Sequence, residues 1–166
     1  MEKEEDLAGE NGGLRIRVRA MTENNLFHLA KENFNYSVSF RRDFHQHPEL
    51  GFQEIRTSEI ISKELINLGF SVKKYIGKTG VLGVLKGPLD GQTLLLRFDM
   101  DALPIRETNS TNYVSKNDGI MHACGHDGHM AIGLTIAKIL SFYKNQIMGT
   151  VKIIFQPAEE GLGGAL

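Results

Sequence analysis

Three polar clusters in this sequence have the residue types and spacing to do chemistry. The densest is MHACGHDGH, residues 121–129, where one thiol, three imidazoles and one carboxylate share nine positions with glycines that let the backbone turn tightly. Thiolate and neutral imidazole are ligands for zinc and similar divalent ions, and Cys124 and His126 can chelate from one loop. The other two clusters are Asp99-Met100-Asp101, directly after the apolar TLLLRF, and Glu159-Glu160, three residues after VKIIF. In this reading Glu160 adds an oxygen ligand from a strand end. Glu159 points elsewhere, free to act as general base on a metal-bound water.

Each cluster has a bland reading to set beside the chemical one. An Asp-x-Asp after a strand is more often a turn or cap. A Glu-Glu pair is usually a solvated surface, and a single cysteine is usually a small apolar core residue. Residues 121–129 reverse those odds, because burying several polar side chains beside an apolar helix without partners is expensive. His28, His45 and His47 have no such company and read as surface or turn residues. Two other functional readings stay open. One makes Cys124 a nucleophile activated by His122 or His126, with Asp127 as orienting group, and leaves both glutamates without a role. The other is a non-catalytic metal-binding fold, whose closed site has four protein ligands where a catalytic one keeps a position open.

The elements that must position these clusters follow from periodicity. Leu26, Leu29, Ala30, Phe34 and Val38 recur at helical spacing from Thr22, with Asn33 and Asn35 as weak points, and the helix stops near His47-Pro48. A second helix is expected from about Gln53 to Leu68, with Ile55, Ser58, Ile61, Leu65 and Leu68 facing inward and Gly69 as cap. Strands are expected at 70–75, 81–85 and 93–98, separated by the turn-rich GKTG and GPLDG. TLLLRF is apolar enough to suggest a central strand covered on both faces. A polar loop spans about 107–119, a buried helix follows around 130–142, and GTVKIIFQP gives a last strand ended by Pro157. This order implies an α/β sandwich around a mixed sheet. Ligands of open α/β sheets bind beyond the carboxyl ends of strands, so the aspartate and glutamate clusters can share one crevice.

Composition narrows the function classes. The 166 residues are 41% hydrophobic and 23% charged, enough for one globular domain with a sizeable core. A net charge of −1 and a pI near 6.6 provide no field for nucleic acid or anionic membrane. One cysteine permits no intrachain disulfide and points to a reducing compartment. The N-terminal MEKEEDLAGENGG lacks the basic and apolar regions of a secretory signal, so the expected location is cytoplasmic. Residues 1–20 read as a mobile extension, within which LRIRVR has the alternation of a short edge strand.

From about Phe40 onward the chain closely resembles the metallopeptidase-like amidohydrolase family that includes hippurate hydrolases, aminoacylases, N-acetyl-diaminopimelate deacetylases and auxin-conjugate hydrolases. The matching segments are RRDFHQHPELGFQE, the TGV at 79–81, LRFDMDALPI, MHACGHDGHMA and FQPAEEGLGGA, in that order. The resemblance implies that residues 21–166 are the N-terminal portion of a mixed-sheet, helix-covered di-metal catalytic domain. The remaining ligands and the substrate-gripping lid domain belong to sequence downstream of Leu166. It implies two divalent ions per complete site, zinc or manganese, with cobalt or nickel also admissible. Cys124 is then a bridging ligand, and His126 and Glu160 are further ligands. Glu159 is the general base that serves a metal-bridging hydroxide, and Asp101, or else Asp99, is the acidic residue beside the metals. The implied partner is an N-acyl amino acid or short peptide, with no nucleic acid and no membrane, and a homodimer is admissible for the full-length protein. As a fragment the chain is expected to be inactive or nearly so. Met21 opens MTENNL, a sensible helix entry with Thr22 as cap. Deleting residues 1–20 is accordingly expected to change the melting temperature little, and a large drop would show that the extension packs on the fold.

Overall fold

In a computed structural model, which describes residues 23–161 and 163–165, the chain forms four α-helices and a four-stranded sheet. The expected extension at 1–20 and the Thr22 cap lie outside the described residues. Helix α1 (Glu23–Glu32) gives way to α2 (Phe34–Gln46) at Asn33, whose side chain donates to the Leu29 carbonyl at 2.9 Å and so competes with the backbone ladder. Helix α2 ends before Pro48, as the proline requires. Helix α3 (Ile55–Asn67) starts where the Glu49 carboxylate accepts the Arg56 and Thr57 N–H groups at 3.0 and 2.8 Å, satisfying donors that have no partner within the helix. It stops in a Schellman arrangement. Gly69 sits at φ 81°, its N–H reaches the Ile66 carbonyl, and the Phe70 N–H reaches Leu65.

The sheet has the order β1 (Ser71–Ile76), β2 (Gly80–Lys86), β4 (Met148–Gln156), β3 (Leu89–Asp99). Strands β1, β2 and β4 pair antiparallel, while β3 and β4 run parallel through the crossover helix α4 (His126–Phe142), which makes the sheet mixed. One sheet face, carrying Val81, Leu85, Val151, Ile153 and Phe155, is buried with Phe44, Ile61, Leu65, Met130 and Leu134 from the helices. On the opposite face Leu82, Val84 and Ile154 are only half-buried and Lys152 is exposed.

Three expectations need correction. TLLLRF is not a central strand covered on both faces. Among the described residues β3 is an edge strand with Leu95 57% exposed, and the central strand with the buried alternation is β4. Continuous apolar character marked burial somewhere in the strand without saying where the strand stood. Helix α4 buries one face only, since Ile132 and Phe142 are exposed, and Ile55 of α3 likewise faces solvent. No described helix is long and apolar enough to cross a membrane.

Helix α4 packs closely on the sheet because position 133 is glycine. A Cβ there would stand 2.8 Å from the Phe98 ring and 3.0 Å from Phe155, whereas one on Gly128, a turn earlier, would meet nothing within 4 Å. Gly133→Ala is therefore expected to destabilise the chain by about 1–3 kcal/mol through overpacking. Gly128→Ala is expected to be neutral or stabilising by about 0.5–1 kcal/mol. Denaturant titration distinguishes the two, and equal effects would show that the helix can shift away from the sheet.

Candidate metal centre

A parallel β3–α4–β4 crossover brings both strand carboxyl ends and the amino end of the helix to one edge of the sheet. Asp101 follows β3, Glu159 and Glu160 follow β4, and His126 opens α4. Gly125, at φ 106°, turns the chain from the Cys124 loop into the helix, a conformation costly for residues with a Cβ. All five residues singled out as catalytic or ligating, Asp101, Cys124, His126, Glu159 and Glu160, meet here.

Asp101 joins the pieces. Its side chain is 2% exposed, and its two carboxylate oxygens accept the backbone N–H groups of Glu159 at 3.0 Å and Glu160 at 2.9 Å. Its own carbonyl oxygen lies 2.9 Å from His126 Nδ1, and its carboxylate lies 3.4 Å from the same nitrogen. Burial opposes ionisation of Asp101, but the bonds from His126 and from the N–H groups of Glu160 and Glu159 outweigh it and hold the carboxyl below its usual range. Asp99 stands apart, beside His129 Nδ1 at 3.3 Å and Arg97 at 3.6 Å. Of the two aspartates, Asp101 is the one in contact with His126 and the glutamate pair.

With Nδ1 donating to the Asp101 carbonyl, the Nε2 lone pair of neutral His126 is the one left for a ligand. Nε2 lies 3.8 Å from Glu159 Oε2 and 4.0 Å from Glu160 Oε1, so Glu159 does not point away as expected but lines the same space. One donor atom each from Cys124, His126 and Glu160 all lie within 4.8 Å of one another. In a tetrahedral zinc site such donors stand about 3.5 Å apart. The exposed Cys124 and half-buried Glu160 can close that gap by side-chain rotation. Soft, borderline and hard donors converging on one space, with the imidazole tautomer already fixed by its second hydrogen bond, fit a divalent ion. The Cys124 thiol is pushed up, first by its hydrogen bond to Glu160 and then by burial and the surrounding carboxylates.

Two histidines depart from the sequence reading. His45 is buried, with Nδ1 2.7 Å from Asp127 and Nε2 3.1 Å from Glu107, and Arg41 Nε reaches the same Asp127 oxygen at 2.8 Å. Asp127 is thus engaged by α2 and does not orient His122 or His126. Glu107 also accepts the Ser115 N–H at 2.6 Å, so this network pins the 107–119 loop and the first turn of α4 to α2. The signal available in sequence was the RRDFHQHPE motif, whose arginine and histidine sit one helical turn apart and so share a face. His122 is buried without a hydrogen-bond partner for either ring nitrogen, and burial lowers it to about 4, keeping it neutral. His28 is exposed and His47 is half-buried beside Asp43.

The Asp101 carboxylate raises the His126 imidazole to about 9 against the opposing effect of burial. A folded value above the unfolded one near 6.5 means that His126 contributes stability fully below about pH 6.5, lost as pH rises through about 9. In the metal-free chain the stability difference between wild type and His126→Asn is expected to shrink as pH rises across that window. A difference that grows with pH would contradict the assignment.

Residues 95–166 match the model for peptidase family M20/M25/M40. The chain is 46% identical over 139 residues to IAA-amino acid hydrolase ILR1-like 2 of Arabidopsis thaliana, an overlap of 84% of this chain and 31% of that protein. Over 125 residues it is 47% identical to hippurate hydrolase of Campylobacter jejuni, an overlap of 75% of this chain and 32% of that protein. A dinuclear metal-binding peptidase of the M20 family from Bacillus subtilis superposes with a TM-score of 0.74 at 43% identity, covering 78% of this chain and 36% of that one. The chain spans about a third of the length of the curated relatives it matches. Family model, relatives and fold agree with the motif order, and the chain belongs to the M20/M25/M40 peptidase family of metallopeptidase-like amidohydrolases, as an N-terminal part of it.

Proposed function

We propose that this chain is the N-terminal portion, residues 21–166, of the catalytic domain of a metal-dependent amidohydrolase that cleaves the amide of N-acyl amino acids or short peptides. The observation that carries the reading is the convergence of Cys124, His126 and Glu160 beside a carboxylate, Glu159, that no ligand set of three requires. The three would hold a divalent ion, zinc or manganese by donor type. When bound, the ion would supply Lewis acidity toward the amide carbonyl and lower the cost of deprotonating water. The small substrates in the names of the relatives, hippurate and an amino-acid conjugate, support the substrate class.

The protein's own groups divide the remaining work. Glu159, 37% exposed, takes a proton from the attacking water and returns it to the departing amine nitrogen, so the C–N bond breaks without releasing an amide anion. Asp101 fixes the backbone from which Glu159 and Glu160 project, and its carbonyl holds His126 in the ligating tautomer. Only three donors converge here among the described residues. Two ions need more than that, so the 166-residue chain alone is expected to bind one ion and to hydrolyse poorly. Its single cysteine supports a cytoplasmic setting.

The cysteine-nucleophile reading loses ground on geometry. Asp127, its required orienting group, is bonded to His45 and Arg41, and His126 turns its Nδ1 to a backbone carbonyl. Carboxylates around Cys124 disfavour the thiolate, where a nucleophile needs cations. In the full-length protein Cys124→Ser is expected to lower metal content, while Glu159→Gln keeps the metal and loses about 10²–10⁴-fold in kcat. Elemental analysis with steady-state kinetics reads both. Full metal occupancy in Cys124→Ser, or a covalent acyl-enzyme trapped on Cys124, would overturn the ligand role.

A further inference from the structure

Two of the segments that carry the family resemblance, GFQE at 51–54 and TGV at 79–81, contribute nothing to the donor set, yet the structure brings them together directly beneath it. Glu54, at the amino end of α3, is fully buried. One of its carboxylate oxygens accepts the Ala158 N–H at 2.8 Å, and the other accepts the Thr79 hydroxyl at 2.5 Å. Ser58, one turn along α3, donates to the Thr79 carbonyl, so the threonine is held from both sides. Burial pushes the Glu54 carboxyl up, against the bonds from Thr79 and Ala158.

Ala158 follows Pro157 in the two-residue link between the end of β4 and the glutamate pair, and it has φ 49°, in the left-handed region. An alanine there costs about 1–2 kcal/mol relative to the right-handed basin, so something must hold it. It is fully buried, its N–H is taken by Glu54, and its carbonyl accepts the Gly164 N–H at 3.1 Å. The next two N–H groups are taken by Asp101. Three consecutive amides, 158, 159 and 160, are thus gripped by two buried carboxylates from different parts of the chain. The direction in which Glu159 and Glu160 leave the backbone depends on the conformation at Ala158, because each follows it by one or two residues.

We propose that Glu54 is a positioning residue for the candidate centre, a buried clamp that, with Thr79, holds Ala158 in its left-handed conformation so that Glu159 and Glu160 face Cys124 and His126. The inference rests on the metal reading for its functional consequence, but not for the clamp itself. The side-chain oxygen of Glu54 acts as an acceptor, so glutamine can replace it toward Ala158 while alanine cannot. Glycine at 158 removes the steric reason for the clamp.

Amide hydrogen exchange by NMR on the metal-free 166-residue chain reads the clamp, and cobalt titration followed through the absorption of a Cys124 thiolate bond reads its consequence. In Glu54→Ala, exchange at 158–160 is expected to accelerate about tenfold or more beyond any change at the Val151 and Ile153 amides, as loss of the buried acceptor of the Ala158 N–H implies. Glu54→Gln should stay within about threefold of wild type, with cobalt affinity retained. Thr79→Val, which removes only the second partner, should fall between, and it stands in if Glu54→Ala does not fold. Adding Ala158→Gly to Glu54→Ala should recover part of the lost cobalt affinity. Uniform acceleration at 158–160 and in the core, loss in Glu54→Gln as great as in Glu54→Ala, or cobalt affinity unchanged in Glu54→Ala would overturn the proposal. If wild type bound no cobalt, the metal reading alone would fail, and the exchange pattern would still decide the clamp.

Discussion

The candidate centre depends on one buried carboxylate. Asp101 spends both oxygens on backbone amides, those of Glu159 and Glu160, and spends its carbonyl on the imidazole of His126. It therefore ties the end of β3 to the turn after β4 and to the first residue of α4. A charge this buried is tolerated because each carboxylate oxygen accepts a backbone N–H and the His126 imidazole stands beside it. Replacement by a residue of similar size without two good acceptors would leave two amides without partners, release the glutamate pair and free the histidine to rotate.

Around Asp101 the polar groups form layers rather than a single cluster. Nearest the open side are Cys124, Glu159 and Glu160, exposed or half-buried. Beneath them lie Asp101 and His126, with the fully buried Glu54 below and the His45, Asp127 and Glu107 network to one side. The inner groups touch backbone more than each other, so they convert the rigidity of the packed sheet into fixed positions for the outer ones. The apolar core of β2, β4, α3 and α4 provides that rigidity, and Gly133 lets α4 come close enough for its first residue to reach the site.

Much of this was legible in the sequence, for reasons that differ by element. Helices α2 and α3 and all four strands show in periodicity and turn chemistry, and the Gly69 cap was read directly. MHACGHDGH declared itself because no packing argument explains so many polar groups beside an apolar helix. Sheet order was not legible. An apolar run such as TLLLRF looks the same at an edge as at the centre, since neighbours are chosen by contacts far apart in sequence. His45 was misread for a related reason. Its partners, Asp127 and Glu107, lie 82 and 62 residues away, and the shared helix face of Arg41 and His45 hints at a common partner without showing which distant carboxylates supply it. Glu54 was hidden the same way, because its partner Ala158 contributes only a backbone N–H, which no side-chain pattern reveals.

The central claim is that Cys124, His126 and Glu160 hold one divalent ion between them. X-ray absorption at the zinc edge, on the 166-residue chain loaded with one equivalent, tests it most directly. The account predicts a mixed first shell with one sulfur at about 2.3 Å and nitrogen or oxygen scatterers at about 2.0–2.2 Å. A shell of nitrogen and oxygen alone, or one unchanged when Cys124 is replaced by serine, would contradict it.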